Sequence, residues 1–92
     1  MKVGKLLSDK SKWCKKKLAA TKDGESCLIF DEFATQWCLE GAIIKCYVMD
    51  FETQRKINER IRNKIGNDIP NWNDAPERTF EDVKKLVKKL NI

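Results

Sequence analysis

Between positions 72 and 79 the chain reads Trp72-Asn73-Asp74-Ala75-Pro76-Glu77-Arg78-Thr79, running straight into a helical pattern that begins Phe80-Glu81-Asp82-Val83. An indole offers a stacking face, Asn73 and Asp74 offer polar groups, and Arg78 offers a planar cation fork. Those are the parts needed to hold a nucleotide or a carboxylate. Trp72, Asn73, Asp74 and Arg78 are therefore the candidate ligand- or partner-binding residues. The same residues also suit a helix start: Trp72 plugging the core, Asn73-Asp74 making a turn, and Arg78 pairing with Asp74 or an acid of the second helix. Turn and cap chemistry accounts for each position without a ligand.

Conventional catalysis has little to work with. The chain has no histidine, which removes the commonest general base and any Ser-His or Cys-His couple. Four cysteines, at 14, 27, 38 and 46, include no Cys-x-x-Cys pair. No metal site is expected, and reduced thiols acting as small buried hydrophobes are the better reading. Cys38 falls inside an expected helix, away from the N-terminal field that lowers a thiol pKa. Cys14, beside Trp13 and Lys15-Lys16-Lys17, has the most electropositive neighbourhood of the four. An enzyme would have to be assembled from Glu40, Asp74 and Arg78 converging in one pocket. No catalytic residue and no cofactor is assigned.

Net charge is +5, with 41% hydrophobic and 36% charged residues, a soluble globular composition. Residues 1–22 carry +7, residues 23–54 carry −6 and residues 55–92 carry +4. Such blocks can attract an anionic partner or can complement one another in the fold. Lys12, Lys15, Lys16 and Lys17, with Trp13 nearby, and Arg55 and Arg62 on the third helix suit phosphate contacts. Fifteen lysines against four arginines argue against specific phosphate or base recognition. The longest apolar runs, Cys27-Leu28-Ile29-Phe30 and Gly41-Ala42-Ile43-Ile44, are far too short to span a membrane. No apolar segment follows the N-terminal lysines, so no signal peptide is expected, and the expected location is the cytoplasm.

These groups need positioning elements, and ninety-two residues allow one domain. Val3, Leu6 and Leu7 predict a short amphipathic helix over about residues 2–11. Asp23-Gly24, between Leu18-Thr21 and Ser26-Phe30, predicts a two-stranded hairpin. Asp31 is placed to cap a helix over about 32–48, whose interior Gly41 implies close approach of another backbone. A third helix is expected over 51–65, with Phe51, Ile57, Ile61 and Ile65 inward and Gly66 as its stop. Two prolines make 69–76 non-helical in this reading. Thr79 caps the last helix, with Asp82 at the capping-box position and Phe80, Val83, Leu86, Val87 and Leu90 as its stripe. The expected fold is mainly α: a single domain over residues 1–92, about four helices, and a short β-hairpin between helices 1 and 2.

Trp37-Cys38-Leu39-Glu40-Gly41-Ala42 and Trp72-Asn73-Asp74-Ala75-Pro76-Glu77-Arg78-Thr79-Phe80-Glu81-Asp82-Val83 together resemble a family of small proteins of unknown function. Its members occur in actinobacteria, other bacteria and their phages. They pair a Trp-Cys-x-x-Gly-Ala helix with a Trp-Asn-Asp-x-Pro-x-Arg-Thr lead into a final helix. Trp13-Cys14 and the following short Asp23-Gly24 segment fall in the family's order, so the resemblance covers nearly the whole chain. It implies a compact, mostly helical fold and an occasional phage setting, and no activity. The expectation is a non-enzymatic, phage- or prophage-encoded binding protein that blocks a host protein or sequesters a small anionic ligand such as a nucleotide. The alternative is a nucleic-acid-binding accessory module using the lysine-rich N-terminal segment and the third helix.

Overall fold

The computed structural model describes residues 1–92, in which five helices and one β-ribbon follow in the order α1 (Val3–Leu6), β1 (Ala19–Thr21), β2 (Ala34–Trp37), α2 (Leu39–Cys46), α3 (Phe51–Ile65), α4 (Ile69–Asp74) and α5 (Phe80–Leu90). A 3-10 turn at Lys10–Lys12 follows α1, with Asp9 accepting from the Ser11 backbone N–H at its start. The fold is mainly α, and its ribbon lies between α1 and α2 as the sequence predicts. No helix is long and apolar enough to cross a membrane.

Helix α2 sits centrally, in contact with α1, α3, α4 and β2. Leu39, Ala42 and Ile43 of α2 are buried with Val3, Ile57, Ile61, Val83 and Val87 in one apolar cluster. The close approach expected at Gly41 is present: an ideal Cβ there would stand 2.1 Å from the Leu18 carbonyl oxygen. Helix α3 ends at Gly66, whose φ of 67° is the left-handed stop the sequence implies. Thr79 and Asp82 form the reciprocal capping box of α5. Phe80, Val83, Leu86 and Val87 of its stripe are buried.

Five expectations are corrected. The first helix is a single turn, because Leu7 leaves helical geometry and the chain restarts as the 3-10 turn. The Asp23-Gly24 turn forms, with Gly24 at φ 86° and Thr21 N–H donating to the Glu25 carbonyl. Its return arm, however, makes only an isolated bridge at Ser26, and β1 pairs instead with Ala34–Trp37 in antiparallel register, Ala19 opposite Trp37. Helix α2 consequently begins at Leu39, and Asp31 caps only a local turn by accepting from the Phe33 N–H. Residues 69–74, expected to be non-helical, form α4. Pro70 lies in its first turn, where a missing N–H costs nothing, and Asp68 caps it by accepting from the Asn71 N–H. Phe51, expected inward, is exposed at the start of α3.

Candidate functional site

The Trp72–Thr79 segment closes on a single amide. Asn73, fully buried at the end of α4, accepts at Oδ1 from Trp13 Nε1 (2.7 Å) and from the Leu39 backbone N–H (3.1 Å). Its Nδ2 donates to the Cys14 carbonyl (3.2 Å) and to Asp74 Oδ1 (2.9 Å). Two acceptor sites and two donor hydrogens are the whole capacity of an asparagine side chain, so every one is used within the fold. The Leu39 N–H is one of the orphan donors at the start of α2, and Cys38 Sγ accepts a second, from the Gly41 N–H at 3.3 Å. Trp13-Cys14, Trp37-Cys38-x-x-Gly41-Ala42 and Trp72-Asn73-Asp74, separated in sequence, thus meet around one side chain.

The other three candidates flank this hub. Asp74 Oδ1 also accepts from the Lys16 backbone N–H (2.8 Å), where Lys16 has a φ of 65°. The half-buried Trp72 packs on the edge of the core. The Arg78 guanidinium lies 4.0 Å from its ring centroid, and Arg78 Nε donates to the Trp72 carbonyl at 2.8 Å. Arg78 pairs with Asp82 at 3.7 Å rather than with Asp74. The cation fork is therefore folded back onto its own loop.

The basic candidates are placed separately. Lys15 Nζ donates to the Ala75 carbonyl (2.8 Å) and stands over the Trp13 ring, and Lys17 Nζ donates to the Gly24 carbonyl (2.6 Å). Arg55 is held between Glu52 and Glu59 at 2.7 and 2.8 Å. Lys12, Lys16 and Arg62 are exposed. The phosphate-binding expectation thus has two of its lysines and one of its arginines already engaged.

Glu40 and Asp74 line one open hollow of about 300 Å³ with Cys38, but Arg78 is not part of its wall. Cys38 is the N-cap of α2, not a mid-helix residue as the sequence suggested. Burial still raises its thiol pKa despite two backbone N–H contacts. Cys14, the thiol with the most basic neighbours in sequence, is pushed up to about 12, mainly by burial and also by Cys38 beside it. Both thiols are protonated and inert at neutral pH.

A different surface, not singled out in the sequence, carries exposed apolar groups. Phe30 lies under the Lys45 ammonium of α2 (5.3 Å), which also faces the Trp37 ring (5.9 Å). Beyond the end of α2 come the exposed Val48, Met49 and Phe51, with Met49 at 78% exposure and a φ of 62°. Sequence pattern assigned Phe30 to a strand, Val48 to a helix and Phe51 to the core, so their apolar character looked accounted for. A positive φ at a methionine has no signature in sequence.

A small, mainly α-helical domain whose polar motif residues lock its own segments together, with several large apolar side chains exposed, is the class these observations define. The chain belongs to the family of unknown function DUF6197, whose model matches residues 2–90. No curated protein and no solved structure matches the chain.

Proposed function

We propose that this is a non-enzymatic, cytoplasmic binding protein that blocks a partner protein through the apolar end formed by Phe30, Val48, Met49 and Phe51. The observation that carries this reading is the exposure of four large apolar side chains around the end of α2 in a 92-residue domain. Grouped exposed hydrophobes mark contact surfaces on small soluble proteins. Methionine suits such a surface because it repacks against varied shapes. The φ of 62° at Met49 supports the reading as well, since a non-glycine residue in that region is held at a cost of order 1 kcal/mol. The phage or prophage setting rests on the family resemblance alone.

The nucleic-acid alternative has less support, because Lys15, Lys17 and Arg55 are committed to internal partners. The test compares the wild type with a Met49→Ser/Phe51→Ser variant. A protein captured from host lysate by the wild type, then titrated in purified form, should bind the variant about 100-fold more weakly at unchanged melting temperature. Undiminished binding by the variant, or a wild type that captures no protein, rejects the proposal.

A further inference from the structure

Helix α1 lies beside α5, and the last residues fold back to join them: Gly4 N–H donates to the Ile92 carbonyl (3.2 Å) and Lys2 Nζ to Asn91 Oδ1 (2.8 Å). Between these elements opens a groove of about 440 Å³, within the usual size range of small-molecule sites, roughly 300–1,000 Å³. The exposed edges of Leu7, Phe80 and Val87 supply a narrow apolar floor, with the fully buried Val83 behind them. Gly4 lets the two helices come this close, since a Cβ there would stand 3.2 Å from Val87 Cγ1.

The charged side chains at the rim are all cationic, beside the neutral Ser8 and Asn91. Lys2, Lys5, Lys84 and Lys88 line it, and no aspartate or glutamate side chain does. None of the four forms an ion pair anywhere in the molecule. Lys84 and Lys88 are four residues apart on one helix, a spacing at which like charges repel. An apolar trough between unpaired lysines has a definite complement: a body of hydrocarbon or aromatic character ending in a carboxylate or phosphate.

We infer that the groove between α1 and α5 binds a small amphiphilic anion, its apolar part on Phe80 and Val87 and its charged end between Lys5, Lys84 and Lys88. This rests on the ligand-sequestering branch of the binding-protein reading and is independent of the apolar end, so Met49→Ser/Phe51→Ser leaves it unchanged.

The probes are decanoate and decyltrimethylammonium, which share a chain and differ in charge, each titrated below micelle formation and followed by amide chemical shifts. Decanoate should bind saturably, with shifts centred on Gly4, Leu7 and Val87, and the cation should not. Lys84→Gln/Lys88→Gln should weaken decanoate binding about tenfold, equivalent to about 1.4 kcal/mol. Lys85→Gln/Lys89→Gln removes the same charge from neighbouring positions outside the groove and should leave binding within about twofold. Equal binding of the cation, equal loss in both double variants, or shifts centred elsewhere overturns the inference. So does sedimentation with phosphatidylglycerol vesicles in the absence of any decanoate binding, which would assign the lysines to a membrane surface.

Discussion

Asn73 and Asn58 are the same residue type with opposite surroundings. Asn58 Oδ1 is buried without a partner, whereas every polar site of Asn73 is matched. Asn73→Ala would strand the Leu39 N–H and the Trp13 Nε1 together, each unsatisfied group costing about 1–3 kcal/mol. A total loss of about 3–5 kcal/mol in urea unfolding is expected, against about 5–15 kcal/mol for a whole domain. Asn73→Asp should be as damaging, since a second carboxylate oxygen would face the Cys14 carbonyl and Asp74. A stability near wild type in either variant would remove the hub from the account. The thiols give a pH prediction. Cys14 titrates near 12 in the folded chain and near 9 when unfolded, so only the unfolded chain gains from losing that proton between these values. Stability contributed by the protonated thiol is complete below pH 9 and is lost as pH rises toward 12. The melting temperature should decline through that window, and the decline should be shallower in Cys14→Ala.

At the scale of elements, Gly41 makes the sharpest forecast. In an exposed helix Gly→Ala gains up to about 1 kcal/mol, but here the new methyl would meet the Leu18 carbonyl oxygen at 2.1 Å. Gly41→Ala should cost about 3 kcal/mol as the chain around Leu18 is pushed away from α2. A rise in melting temperature would refute the close packing. Gly41 is readable from sequence because its cost is local to one helix and implies close approach by another backbone, although the sequence does not say that Leu18 supplies it. The Thr79–Asp82 box, the Gly66 stop and the Asp23-Gly24 turn are readable because cost and remedy both lie within a few residues. The second strand was not, because Ser26–Phe30 and Ala34–Trp37 both have the composition of a strand and the choice depends on what Trp37 packs against. Helix α4 is hidden in the sequence because proline reads as a breaker, whereas its position in the first turn makes it harmless. Trp72, Asn73, Asp74 and Arg78 form a dense cluster in sequence and lie side by side in the structure. Their partners at Trp13, Cys14, Lys16 and Leu39 lie too far along the chain for spacing to reveal them.

The whole molecule separates its polar locks from its open surfaces. The hub ties α2 and α4 to the segment after α1, while the lysine-rimmed groove and the apolar end lie on other elements. Substitutions at Met49 or Lys84 should therefore change binding with little effect on unfolding, and substitutions at Asn73 should do the reverse. The hub also bears on the order of events during folding. Its bonds from Asn73 join residues 34, 59 and 60 positions apart. Loops of that length close only after helices and tight turns have formed, and their entropy cost is met late. The amide then acts as a latch on a nearly finished molecule, not as a seed for it. In stopped-flow experiments Asn73→Ala should leave the refolding rate close to wild type and accelerate unfolding by more than about 100-fold.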